Sequence, residues 1–255
     1  MMKTITICQR KGGNGKSTAS VNLAAAFAGQ GKRALLIDTD DQRNSTSAIP
    51  TKRPIKHTVE DLLINEQMTV EEASETTLWE GVDLIAGSVN LSAAARELDR
   101  RPGGHGALRE KLESIDGWYD VCLIDTSPSL NMLTINAMYA SDGLFIPLSS
   151  NYFSLEGLAQ TLEAYKKIRN ALYHSLQVYG MAFVIHDGRT CLASEVQKKV
   201  KEQYPLYLCE TVIGRNIKIE EAQVQKQSIF SYAPNDRGAV QYRALAGELA
   251  ARMKL

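Results

Sequence analysis

The sequence predicts one α/β domain over residues 1–255: a mostly parallel, twisted sheet with helices on both faces. Three observations predict it. Short apolar and β-branched runs at 3–8, 32–38, 82–86, 119–125, 143–148, 178–185 and 206–213 have the composition of buried strands. Between them lie longer stretches with helix-forming composition, capping signals and glycine stops. Several of the runs end in acids and small polar residues, the chemistry that open α/β sheets place at their carboxyl ends.

The first unit carries the strongest signal. Residues 3–8 (KTITIC) run into Arg10-Lys11-Gly12-Gly13-Asn14-Gly15-Lys16-Ser17-Thr18, and an Ala-rich stretch from Ala19 to Gln30 reads as a helix stopped by Gly29 and Gly31. Strand, glycine loop and helix together make an anion site. Glycines let backbone N–H groups turn inward, and the helix N-terminus adds partial positive charge. In this reading Gly12, Gly13, Asn14, Gly15 and Thr18 wrap a phosphate chain, Lys16 supplies a full charge to it, and the Ser17 hydroxyl ligates Mg²⁺. The match to G-x-x-x-x-G-K-[ST] is not literal, since Arg10 stands where the first glycine belongs and Lys11 is an extra cation. Two other readings compete. One is a plain glycine turn; the other is a dinucleotide turn with Asp38 on a ribose, against which Thr18 replaces the third Gly/Ala.

Further along, residues 32–38 (KRALLID) form a second buried strand that ends in Asp38-Thr39-Asp40-Asp41-Gln42-Arg43-Asn44. Two acids in three positions suit turn chemistry as well as a ligand site. Thr58 to Leu63 reads as a capped short helix, and Thr69 with Glu72 as a capping box for another. Residues 91–98 and 107–115 read as helices split by Pro102-Gly103-Gly104, with His105 a solvated loop residue. The run 119–125 (YDVCLID) ends in Asp125, an acid placed to hold Mg²⁺ directly or through water. Leu130 to Ala140 is a helix, and another runs to about Leu172 with Lys166, Lys167 and Arg169 on its wet face. His186, at a strand end, is expected to be packed. Residues 206–213 form the last strand, and a closing helix reaches Lys254.

Composition bounds the rest. Lys plus Arg and Asp plus Glu both number 29, so no global field draws the chain to nucleic acid or membrane, and any such binding needs a local patch. Cys8, Cys122, Cys191 and Cys209 lack metal spacing and read as buried, reduced thiols. The chain enters its first strand at once, leaving no room for a signal peptide, and no apolar run reaches membrane-spanning length. A cytoplasmic protein is expected.

The loop Lys11-Gly12-Gly13-Asn14-Gly15-Lys16-Ser17-Thr18 resembles the deviant Walker A loop of the ParA/MinD superfamily of P-loop ATPases. That likeness implies ATP and Mg²⁺ as cofactors and a nucleotide-sandwich homodimer in which Lys11 reaches the partner's phosphates. Asp38, Asp40, Gln42 and Asn44 match the family's Asp-x-Asp-Pro-Gln-Gly-Asn switch, with Asp40 orienting the attacking water; Asp41 and Arg43 depart from it. Asp125-Thr126-Ser127-Pro128 is similar to Asp-Thr-Pro-Pro, and Asn151 to Leu158 resembles a Tyr-Phe-Ala-Leu-Glu-Gly-Leu segment. Gly214-Arg215-Asn216 is similar to the Pro-Arg-Asn that frames adenine in Soj-type relatives, with Gly214 in the proline's place.

The likeness covers nearly the whole chain and implies a partition ATPase, nucleoid-associated, that segregates a plasmid or chromosome through a ParB-like adaptor. Its ATP-bound dimer would bind DNA without sequence preference, through Arg189, Lys198, Lys199, Lys201, Arg215 and Lys218. From composition alone those residues read first as solvated helix faces. The loop strand starts at residue 3, so the helix-turn-helix extension of larger ParA proteins is not expected. A MinD-like membrane role would need a greasier final helix than Ala246 to Leu255. A small-molecule kinase or ligase would need a substrate pocket from residues 50–102, where no convergent polar set is visible.

Overall fold

In the computed structural model, which describes residues 1–151, 153–172, 175–188 and 190–255, the apolar runs pair into one sheet. Its strands are β1 (Lys3–Ile7), β2 (Ala34–Thr39), β3 (Ser74–Thr76), β4 (Val82–Ile85), β5 (Val121–Thr126), β6 (Gly143–Ser149) and β7 (Gln177–Ile185). Their order is β3-β4-β2-β5-β1-β6-β7, and every pairing is parallel except the short edge strand β3. β3 gave no sequence signal: Ser-Glu-Thr is polar and three residues long.

Because successive side chains alternate across a strand, each strand feeds two cores. Ile5, Ile7, Leu36, Leu123, Phe145 and Val184 face one side, where they pack with α1 (Lys16–Ala28) and α12 (Arg237–Met253). Leu35, Ile37, Cys122 and Ile124 face the other side, under α3 (Val59–Ile64), α5 (Leu91–Arg100), α6 (Ala107–Glu113) and α7 (Met132–Ala140). Further along that side, Leu144, Ile146, Met181 and Phe183 meet α8 (Phe153–Ala171) and α9 (Cys191–Gln203). Short helices α2 (Asn44–Ala48), α4 (Val70–Ala73), α10 (Ile217–Val224) and α11 (Ile229–Tyr232) complete the chain. The capping box expected at Thr69/Glu72 is formed, and the capped helix expected from Thr58 has one too, with Asp61.

Three expectations are corrected. Residues 206–213 do not form a strand; they follow β7 through isolated bridges at Leu208 and Gly214. The N–H of Cys209 bonds to Met181 and that of Ile213 to Phe183, so the segment bulges between them. The Glu210 and Thr211 N–H groups turn instead to the Glu248 carboxylate of α12, at 2.9 and 3.2 Å. His105 is not simply solvated, because its ring stands edge-on to Tyr139 with centroids 5.0 Å apart. Cys191 is exposed, whereas Cys8, Cys122 and Cys209 are buried. His186 packs as expected, on Ser150 and against Phe183.

Candidate nucleotide site

Register sets the site. Ile7 of β1 pairs with Asp125 of β5, and Asp38 of β2 pairs with Asp125 from the other side. The carboxyl ends of three central strands therefore finish level, and the glycine loop rises from the end of β1. Gly13 (φ +76°) and Gly15 (φ +73°) hold left-handed backbone, which a side chain would strain. At Gly15 a Cβ would also lie 3.0 Å from Val184 Cγ2. The loop opens into a cleft of about 630 Å³ lined by Gly12, Gly13, Gly15, Lys16, Ser17, Thr18 and, across from them, Asp40 and Gln42.

Lys16 opens α1 and is only 7 % exposed. Burial pulls its pKa down, and the Asp125 and Asp40 carboxylates oppose that pull. Holding an ammonium in such a place is costly unless a ligand's negative charge meets it. This disposes of the plain-turn reading on energetic grounds. Asp125 lies beneath the cleft, fully buried, accepting hydrogen bonds from Ser20 Oγ (3.1 Å) and Ser45 Oγ (2.7 Å). Burial first and then nearby Asp38 raise its pKa, while Ser45, Ser17 and Lys16 restrain the rise.

Asp38 and Asp40 stand two residues apart and differ in their surroundings. Asp38 is fully buried with its oxygens taken: Thr46 N (2.8 Å) and Thr46 Oγ1 (2.7 Å) on one, Asp40 N (3.1 Å) on the other. It ties the loop down and cannot serve a ribose. Asp40 lines the cleft, with Oδ1 accepting from Gln42 N at 3.1 Å. Burial raises its pKa, so it is a better proton acceptor than an exposed Asp. Arg43 adopts the left-handed backbone (φ 54°) that a glycine would take without cost, so the departure from the family's glycine keeps the turn. Behind it, Thr46 Oγ1 also accepts the Gly87 N–H at 2.8 Å. Thr46→Val should therefore orphan one buried donor and strip one bond from a buried carboxylate, costing about 2–4 kcal/mol of stability, measurable by denaturant unfolding.

The remaining expected residues fall elsewhere. Asn14 is buried beside the loop and accepts from Ser149 Oγ at 2.6 Å, rather than lining the cleft. Lys11 is exposed and also not among the lining residues. Gly214 and Asn216 stand back from the cleft. Asn216 caps α10 through Lys218 N (2.8 Å) and donates to Asp236 Oδ1, so both ends of its amide are spent locally. Gly214 donates its N–H to Gln241 Oε1 at 3.2 Å, a bond that proline could not make, and a Cβ there would meet the Arg237 guanidinium. The lining also includes Ile185, which flanks Gly15, Gln223, which donates to Thr18 Oγ1 at 3.3 Å, Val224 and Pro128; of these only Pro128 belonged to a motif visible in the sequence. Arg189 lies outside the described residues. Lys198, Lys199, Lys201, Arg215 and Lys218 are exposed; Lys198 pairs with Glu202 (3.9 Å) and Lys218 with Glu221 (2.8 Å).

Among the described residues no cluster of three or more His, Cys, Asp and Glu could hold a metal alone. The donor set of one hydroxyl, Ser17, with the buried Asp125 behind it suits Mg²⁺, which keeps waters and takes its other ligands from phosphate. A glycine-cradled anion loop, a buried lysine and a metal-supporting acid at the carboxyl ends of a parallel sheet define a P-loop nucleotide hydrolase.

Comparison with known proteins agrees. Residues 2–178 match the family model described as an AAA domain. The chain is 38 % identical over 252 residues to the sporulation initiation inhibitor protein Soj of Bacillus subtilis, covering 98 % of this chain and 99 % of that protein. It is 35 % identical over 254 residues to the chromosome partitioning protein ParA of Caulobacter vibrioides, covering 98 % and 95 %. Among solved structures, cobyrinic acid a,c-diamide synthase from Mycobacterium smegmatis with bound ADP and magnesium superposes with a TM-score of 0.83 at 26 % identity, over 97 % of this chain and 93 % of that one. The chain belongs to the Soj/ParA family of partition ATPases, and it is an ATP hydrolase.

Proposed function

We propose that this ATPase segregates a DNA cargo by cycling between a monomer and an ATP-bound sandwich dimer that holds DNA without sequence preference. The observation that carries the reading is the split between two cations on one loop. Lys16 is buried in the cleft, whereas Lys11 is exposed and outside its lining, which leaves it without a place among the cleft residues of its own protomer. In the reaction Lys16 and the loop N–H groups hold the phosphates, Ser17 and Asp125 hold Mg²⁺, and Asp40 orients the water. The second protomer's Lys11 neutralises charge on the transferring group. Bound Mg²⁺ supplies further neutralisation of the phosphate oxygens.

DNA contact falls to phosphate neutralisation by Lys199 and Lys201 on α9, with Lys198, Arg215 and Lys218. Dimerisation doubles a patch that is marginal on one protomer. A ParB-like adaptor would then reset the cycle by stimulating hydrolysis. Retention on random-sequence DNA at low salt tests this: the ATP-loaded protein should be retained, the ADP-loaded or nucleotide-free protein should wash through, and Lys199→Glu with Lys201→Glu should abolish retention. Equal retention in all nucleotide states would count against the proposal.

A membrane-positioning role is less well supported, because Leu245, Leu249 and Met253 of α12 are consumed in the core against the sheet. No helix among the described residues is long and apolar enough to cross a membrane. Small-molecule activation is also less well supported. The clefts formed by residues 50–102 gather around Lys52 and residues 74–83, at the amino end of β4 and away from the phosphate loop.

A further inference from the structure

The turn that carries Lys11 is held from outside the cleft. Gln9 and Arg10 lead out of β1, and α8 packs across them. Thr161, fully buried on α8, accepts a hydrogen bond from the Arg10 N–H at 3.1 Å. Its single proton lies between the Gly157 carbonyl (2.7 Å) and Gln9 Oε1 (3.0 Å). Bonding back to a carbonyl four residues earlier is ordinary for a helical threonine. Reaching out as well to the Arg10 N–H, next to Lys11, is not.

One helical turn before Thr161, Gly157 faces the same segment. A Cβ there would lie 2.8 Å from Lys11 Cβ, 2.8 Å from Gln9 Oε1 and 3.3 Å from Lys11 N. Two of those atoms belong to Lys11 at or next to its backbone, so a side chain at 157 would have to displace the lysine's base. The helix approaches this closely because position 157 has no Cβ. Gln9 is 1 % exposed and its Nε2 has no partner, so its side chain is fixed through Oε1 alone. Gly157 and Thr161 do not line the nucleotide cleft. Their contacts with this segment fall at Gln9, Arg10 and Lys11.

We infer that Thr161 and Gly157 are positioning residues for Lys11, clamping the backbone from which that lysine is presented to a second copy of this chain. The inference rests on the reading of Lys11 as acting across the dimer. A lysine on a flexible four-carbon stem that must meet a phosphate in another molecule gains from a fixed base, whereas nucleotide binding within the protomer, through Lys16, does not need one. The glycine of the Leu155-Glu156-Gly157-Leu158 segment thereby acquires a physical role, as the gap that lets α8 reach the loop.

The test compares ADP affinity, ATP-dependent dimerisation and turnover in the full-length protein and its variants. Thr161→Val keeps the branched shape and removes the hydroxyl. It should weaken dimerisation and turnover about tenfold, since small misplacements of a catalytic group carry losses of that order. ADP affinity should remain within about twofold, because the Lys16 side of the loop is untouched. Thr161→Ser should restore the parent values, and Gly157→Ala should reproduce the defect by displacing Lys11. Adding Thr161→Val to Lys11→Ala should cost nothing further. If Thr161→Val and Gly157→Ala dimerise and turn over like the parent while Lys11→Ala fails, the clamp is wrong and the role of Lys11 stands. If Lys11→Ala itself behaves like the parent, the trans-acting reading falls and the clamp with it. A Thr161→Val defect that extends equally to ADP binding, or that adds in full to Lys11→Ala, would overturn the inference as general damage to the fold.

Discussion

Lys16→Ala is expected to lower turnover by at least about a hundredfold and to weaken nucleotide binding with it, the largest effect of any single change in this chain. The lysine is 7 % exposed at the first position of α1, where burial already disfavours its charge and the Asp125 and Asp40 carboxylates offset the cost. A charge placed there at a cost gains from the arrival of the triphosphate. Removing it takes away the one full charge that this protomer's own loop brings into the cleft, a loss on the order of 3 kcal/mol or more. Alanine suits a helix start, so the melting temperature should hold or rise. Calorimetric titration with ADP together with phosphate release checks both parts; parent-like turnover would remove the phosphate-gripping role.

Asp40→Ala should act at a different step. Asp40 lines the cleft opposite the loop, held by Gln42 N and raised in pKa by burial, in the place from which a carboxylate can orient water. Its removal should cut hydrolysis by about 10²–10³-fold and leave nucleotide binding near the parent value. The ATP-bound dimer should then persist, visible as a stable species in size-exclusion chromatography with ATP. Hydrolysis at the parent rate would show that another group handles the water. Asp38 makes the contrast. It stands two residues away and is also an aspartate, but its oxygens are occupied by Thr46 and Asp40 N, so its replacement should appear as lost stability.

What the sequence made legible is what linear spacing controls. Strand, loop and helix fix where Gly13, Gly15, Lys16 and Ser17 stand relative to one another, and a strand that ends in an acid delivers Asp40 or Asp125 to the same edge of the sheet. The parallel sheet followed from the same runs. Features set by register or by distant partners were not legible. Ser20 and Ser45 meet Asp125 only because three strands end level, and nothing in their local sequence marks them. The expected last strand failed because Glu248, more than thirty residues downstream, captures two N–H groups that a strand would need. Gly214 and Asn216 were placed at the nucleotide by resemblance, yet Gln241, Asp236 and Lys218 N occupy their polar groups. The cleft wall of Ile185, Gln223 and Val224 comes from β7 and the end of α10, elements with no motif to announce them.

If each site borrows its second lysine from the other protomer, two inactive variants should repair one another. Lys11→Ala and Asp40→Ala proteins are mixed before ATP is added, and turnover is followed by phosphate release. Each variant alone should be nearly inactive. In a mixed dimer, the site whose Asp40 is intact receives Lys11 from the Asp40→Ala partner and is complete. Random pairing should therefore restore up to about a quarter of the parent turnover. A mixture as inactive as its components would mean that Lys11 and Asp40 must reside in the same chain, and the exchange of lysines between protomers would be ruled out.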